Sequence, residues 1–499
     1  MQNSHTISIV NIKNTFWDIF KLFSRLGIPR AMSFTFSLEM LIIIWLLNEV
    51  DSDETHLAAT GLTVLLISAT AILLFSPMFA LNPLLNYKLG EINQASDEDT
   101  RVELRVQLSD LAKQASLCWV PVIPTAIGIM FFAKPLLINL FGQSEEVAAT
   151  VAQFTRPYAP AFIFLAKRLV FEELLFAFDD QVYAMLAALF ALLIGVSSRD
   201  FLAYFGLREG GDGATAIAIG CVIESALTAF LFGLRLKFSN KYKDFHFFSI
   251  NSFLKRIHQQ PWMNLLSISA SIFATNFSEL AFPFMITVFA NWSRNLGAVF
   301  SYAIQMINIV AFLKFALCFT ACKEISSATG ANDMSKAKML STYGLLTTLF
   351  YTSLPALGLM IYQLLNPFAL QSSIETILPI MFVGIMADVV RFFTLQSARG
   401  FNDNIKASLI SSLLLLAGIF IGYFLNNIFK FDELLPLVFT GIYGISAVAM
   451  LTRVIYTNTA KQGESSLSQR LLSWINPEEE PLTNQYDTPH ASSVSTVLP

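Results

Sequence analysis

The stretch "ILPIMFVGIMADVVRFFTLQSA" (377–398) is built for lipid except at Asp388 and Arg391. A second acid, Glu279, stands in "FATNFSELAFPF" (273–284), and a third, Glu39, lies in the first apolar stretch after Pro29. An ionised carboxylate is costly to bury, so an acid in a membrane span faces a cavity, pairs with a cation or takes up a proton. Burial favours the neutral form of any carboxylate, which suits such a group to carry a proton. Asn276 lies three residues before Glu279, on the same helical face, with Ser278 adjacent. Their oxygens suit a sodium ion, a hard cation that favours oxygen ligands. The chemistry open to these residues is therefore binding and release of H+ or Na+. The bland reading of Glu279 is a polar hydrogen bond between helices. That of Asp388 is an ion pair with Arg391, three residues on; Arg391 can instead snorkel toward Arg399.

Cations also stand in apolar stretches. Lys167 and Arg168 precede Glu172 and Glu173, and the i, i+4 spacing of Arg168 and Glu172 predicts self-neutralisation. The alternative places Lys167 on a substrate cavity, tuning the acids or repelling cations. Arg30 and Lys314 also lie within spans, and Glu224 reads as a buried polar contact. The 46 phenylalanines are mostly packing or lipid contacts. A subset is a candidate to line a site for flat lipophilic cations by cation–π attraction, namely those flanking Ala281 and Pro283 in "FSELAFPF" and those of "RFF".

These residues need helices to hold them. The chain has 499 residues, 55% hydrophobic and 14% charged, with mean hydropathy +0.58. A soluble domain carries roughly 25% charged residues, and a spanning helix needs about 20 mostly apolar ones. Twelve apolar segments are expected: 29–48, 57–83, 116–133, 155–178, 182–206, 214–235, 262–290, 296–322, 341–366, 376–398, 407–426 and 434–456. Of the 32 Lys and Arg residues, 21 fall in loops on one side and six on the other, which predicts cytoplasmic termini. No cleavable signal peptide precedes the first span. "TFWDIFKLFSRLG" (15–27) is amphipathic and reads as an interfacial helix on the inner leaflet.

The expected division is a cytoplasmic N-terminal segment (1–28), a six-helix half (29–235), a cytoplasmic linker (236–261), a second six-helix half (262–456) and a disordered cytoplasmic tail (457–499). The fold class is all-α membrane protein. With an even number of spans per half, any repeat axis runs along the membrane normal. "AFDDQVYAML" (177–186) and "GFNDNIKASL" (400–409) support a repeat at an offset of 223. Cys118, Cys221, Cys318 and Cys322 show neither metal-ligand nor disulfide spacing. His-Glu-x-x-His, Gly-x-Ser-x-Gly and the phosphate-binding Gly-rich loop are missing from the sequence, so an enzyme is not expected and transport would draw on an ion gradient.

Three stretches carry a resemblance: "PLLINLFGQSEEVAATVAQFTRPYAPAFIF" (135–164), "FSELAFPFMITVFA" (277–290) and "IMADVVRFFTLQSARGFND" (385–403). In order and spacing they resemble the multidrug and toxic compound extrusion (MATE) family, NorM-like branch, over roughly 25–456. The resemblance implies two six-helix bundles around a central cavity and an efflux antiporter for small organic compounds. It implies Glu279 and Asp388 as the cation-coupling pair and no cofactor beyond the coupling ion, H+ or Na+. Two positions depart from the family. Ile44 stands where many members carry an aspartate in span one, with Glu39 as the substitute, and Gly384 stands where the branch has a tyrosine. The expected partners are the organic substrate and the bilayer, with no nucleic acid, and the chain is expected to be a monomer in a bacterial inner membrane. The competing readings are a lipid-linked oligosaccharide flippase, favoured by Lys167 and Arg168 and opposed by Glu39, Glu279 and Asp388, and a twelve-span facilitator, whose loop signature between spans two and three is missing.

Overall fold

The computed structural model describes residues 4–33, 54–141, 144–208, 213–249, 253, 262–291, 297–365, 371–428 and 434–459. Among them there are helices and no strands. Glu39, Ile44 and all but the first three residues of the tail expected at 457–499 lie outside the described residues; 457–459 continue the last helix. The helices of the first half of the chain are α1 (Ser4–Ser33), α2 (Glu54–Gln94), α3 (Glu98–Phe131), α4 (Ala133–Phe141), α5 (Glu145–Tyr158), α6 (Ala161–Ala177), α7 (Gln181–Arg208) and α8 (Gly213–Phe238). Those of the second are α9 (Trp262–Asn291), α10 (Gly297–Gly330), α11 (Met334–Leu365), α12 (Gln371–Gly400), α13 (Asn404–Asn427) and α14 (Leu435–Thr459). Seven are long and apolar enough to cross a membrane, in α3, α7, α8, α9, α12, α13 and α14. The protein is therefore a multi-pass membrane protein.

Local chemistry explains several boundaries. Asp97 caps α3 by accepting the Thr100 amide at 3.0 Å, and Ser144 caps α5 with Glu145 and Glu146 in its first turn, where acids suit the helix dipole. The segment expected as one span over 155–178 is two helices, because Pro157 and Pro160 cannot donate to the hydrogen-bond ladder. α1 runs unbroken through position 28, with Pro29 inside it. Its aromatic face does more than lie on a surface: Phe20 stacks on Tyr351 of α11 at 5.2 Å, and the Ser24 hydroxyl lies 2.6 Å from the Tyr351 hydroxyl.

The core divides along the chain. One apolar cluster gathers α2, α3 and α5 to α8, and two others gather α9 to α14. The exceptions are reciprocal: Leu265, Ile268 and Ile272 of α9 join the first cluster, and Ile19 and Phe23 of α1 join the second half's. The 223-residue offset reappears as backbone geometry. Asp179 and Asn402 both take left-handed φ, 59° and 65°. In each turn the next amide reaches back five residues, Asp180 to the Leu175 carbonyl and Asp403 to the Ala398 carbonyl, both at 2.9 Å. These are helix-ending Schellman turns. The following aspartate then accepts an arginine from the last long helix of its half: Arg235 Nε at 2.9 Å from Asp180 and Arg453 Nε at 2.6 Å from Asp403.

The halves meet where α2 crosses α10, at the end that carries the Lys/Arg-rich loops. The approach is backbone to backbone. A Cβ at Gly90 would fall 2.2 Å from the Ser327 carbonyl oxygen, and one at Gly330 would fall 2.1 Å from that of Tyr87. Lys323 of α10 pairs with Asp179 across the same junction. Burial would raise the Asp179 carboxyl, but Lys323 beside it holds it below its usual value. A carboxyl so depressed contributes stability above its unfolded pKa and loses it only as pH falls through the lower, folded value. This link thus stays closed throughout the neutral range.

Candidate functional site

Asp388 is presented from the middle of α12, Glu279 from α9, and the structure brings them together through one shared cation, Arg391. Arg391 Nη2 lies 2.6 Å from Asp388 Oδ1 and 2.9 Å from Glu279 Oε1. Arg391 Nη1 donates to the Ser411 hydroxyl of α13 at 2.6 Å. Lys314 Nζ, from α10, donates to Asp388 Oδ2 at 2.6 Å and sits 4.9 Å from both the Phe315 and Phe392 ring centroids. The Arg391 guanidinium also lies over Tyr443 of α14 at 5.7 Å. Four formal charges, two of each sign, thus tie α9, α10 and α12 inside the second half, with Arg391 fully buried. The i, i+3 pairing read from sequence is present, but Arg391 bridges both acids and does not simply cancel one. Lys314, which the sequence reading gave no role, is the second partner of Asp388. Its only sequence signal was a cation in an apolar stretch, with its acid 74 residues away.

Asn276 is buried on α9, and its Nδ2 makes no hydrogen bond among the described residues, so it is one donor still open one turn from Glu279. Phe282 is buried against Phe439 and Tyr443, at 5.9 and 5.2 Å, as packing. Phe284 is exposed.

The first half holds a matching four-charge cluster. Arg30 of α1 reaches Glu173 of α6 at 2.5 Å, and Asn82 of α2 donates to the other Glu173 oxygen at 2.7 Å. Arg168 lies 3.7 Å from Glu172, which accepts Ser33 at 3.0 Å. The predicted Arg168–Glu172 pair is present, but loosely. Glu173 belongs to Arg30, whose guanidinium sits 4.4 Å from the Phe176 ring and 5.4 Å from Phe319 of the other half. The offset of 223 that relates the two turns carries Arg168 onto Arg391, so each half places an arginine at the same point of its fourth long helix. Glu224 pairs with Arg199 at 2.6 Å, both fully buried. Lys167 joins neither cluster; its side chain is exposed on the outer flank of the first half.

The fold is that of the MATE transporters. The eukaryotic MATE transporter AtDTX14 matches with a TM-score of 0.73 and 16% identity, over 93% of this chain and 99% of that one. An outward-facing multidrug resistance MATE transporter of the MOP superfamily matches with 0.73 and 14%, over 91% and 99%. A MOP superfamily transporter from Pyrococcus furiosus, described as having a binding pocket of reversed polarity that suggests a different function, matches with 0.73 and 13%, over 89% and 97%. No protein-family model matches the chain, and no curated protein matches it.

Proposed function

We propose that this chain is a secondary active efflux antiporter of the MATE type, exporting lipophilic cationic organic compounds in exchange for protons or sodium ions. Its helices would form two six-helix bundles related by a pseudo-twofold axis along the membrane normal, with residues 236–261 as the linker. The observation that carries the reading is the buried Glu279–Arg391–Asp388–Lys314 cluster inside a MATE fold. Four charges held out of water are costly to keep and are retained where they do work. In this arrangement Arg391 and Lys314 occupy the positions that a transported cation would take. A proton or sodium ion entering at Glu279 and Asp388, with Asn276 beside them, competes with those side chains. Ion binding then frees positive charge inside the cavity and drives a cationic substrate out. Release of the ion restores the internal pairs. Glu39 remains the candidate acid of the first half.

Reconstituted protein tests this with a fluorescent lipophilic cation and an imposed proton or sodium gradient. One of the two gradients is expected to drive efflux and the other not. Efflux indifferent to both would defeat the antiport reading. Lysine and arginine placement sets the expected topology of a bacterial inner-membrane protein with both ends inside. A cysteine at exposed Ser144 should react with an impermeant reagent from outside, and one at exposed Ser96 should not; the reverse pattern inverts the assignment. Truncation after about residue 460 removes no apolar segment, so efflux by the truncated chain is expected to match that of the full chain.

A further inference from the structure

A groove of about 860 Å3 runs along the outer flank of the first half, between α3, α6 and α8. Its walls are apolar and aromatic, with Phe171, Phe230 and Phe248 among them, and its cations are Lys113, Lys167 and Lys237. Among the described residues no carboxylate lines it. Lys113 lies 3.7 Å from Asp110. Among the described residues Lys167 and Lys237 pair with no acid; Lys237 rests 5.5 Å from the Phe238 ring. Glu172 and Glu173 share α6 with Lys167 but are buried inward, while Lys167 points out. Phe230, on the groove wall, is 60% exposed, as a lipid-facing ring would be.

An ammonium on the outward face of a spanning helix needs an anion or a path to water. The groove offers aromatic walls, a volume in the range of ligand pockets and a surplus of positive charge. Inorganic phosphate would meet the lysines but waste the walls; an apolar molecule would do the opposite. Lys113 and Lys237 mark the end nearest the Lys/Arg-rich loops, where anionic headgroups of the inner leaflet attract basic side chains. We propose that this groove binds an anionic phospholipid of the inner leaflet. Its phosphate sits among the three lysines and an acyl chain lies along the aromatic wall.

The test is thermal unfolding of the detergent-purified full chain titrated with phosphatidylglycerol, with phosphatidylcholine and, separately, with inorganic phosphate. Phosphatidylglycerol is expected to stabilise the protein and the other two are not. The double variant Lys167→Ala with Lys237→Ala should weaken the phosphatidylglycerol titration about tenfold or more, at about 1 kcal/mol for each lysine. The double variant Lys167→Arg with Lys237→Arg should keep it. Equal response to both lipids, stabilisation by phosphate alone, or an unchanged titration in the alanine variant overturns the proposal. Should the alanine variant fail to purify folded, a photoreactive phosphatidylglycerol on the wild type must label 112–123, 164–174, 226–237, Phe247, Phe248 or Phe253, and labelling elsewhere overturns it.

Discussion

Asp388→Asn is expected to cost the protein about 3–5 kcal/mol of stability and all gradient-driven transport. The substitution takes from Lys314 its acid and leaves Arg391 with Glu279, one buried positive charge in excess. Loss of transport by itself would not separate coupling from folding. The separation comes from Lys314→Gln added to Asp388→Asn. That pair of changes restores neutrality, keeps the Arg391–Glu279 contact at 2.9 Å and removes the 2.6 Å contact between the altered residues. Lys314 is the better compensating site because Arg391 holds both acids. The double variant is expected to recover monodisperse yield and thermal midpoint while failing to move substrate against a gradient. Recovered efflux would remove Asp388 from the mechanism and leave Glu279 and Glu39 as carriers. A single variant as stable as the wild type would show that the four charges do not depend on one another.

Gly330→Leu should have an effect as large by a different route. The new Cβ would lie 2.1 Å from the Tyr87 carbonyl oxygen, and backbone cannot rotate aside as a side chain can. α2 and α10 must part, pulling Lys323 from Asp179. Insertion is expected to be normal and efflux lost, because the halves no longer close at this end. A cysteine in place of buried Ser326, with the four native cysteines replaced by alanine, reports the parting as faster labelling. Normal efflux with unchanged labelling would show that the crossing is not needed for the cycle.

Much of this architecture was legible in the sequence because lipid imposes simple rules. Long apolar runs gave most helices, and the paired "AFDD" and "GFND" turns carried their left-handed residues openly. Asp388 and Glu279 stood out because acids are rare in such company. What sequence could not supply was partnership. The i, i+3 spacing made Arg391 visible as a partner of Asp388, yet gave no sign that it reaches Glu279, 112 positions away. Arg168 and Glu172 looked complete by spacing alone, which hid the claim of Arg30 on Glu173. The break at Pro157–Pro160 was masked by an apolar run that continues across it. The outward turn of Lys167 depended on which face of α6 packs inward, and its neighbours in sequence point both ways.

The order of the buried charges bears on how the chain is made. In both halves a cation leaves the ribosome well before the acid it will meet. Arg30 precedes Glu173 by 143 residues and Lys314 precedes Asp388 by 74. A lone cation at the centre of a helix entering the bilayer opposes insertion by roughly 3 kcal/mol. That cost falls on Lys314, midway along α10, and is met only when α12 arrives with Asp388, whereas Arg30 stands in the last turn of α1, away from its centre. Arg391 needs no such delay, since Asp388 enters one turn ahead of it. Biogenesis of this protein is thus paced by its late helices, and a nascent chain stalled before residue 388 carries an unanswered lysine into the membrane.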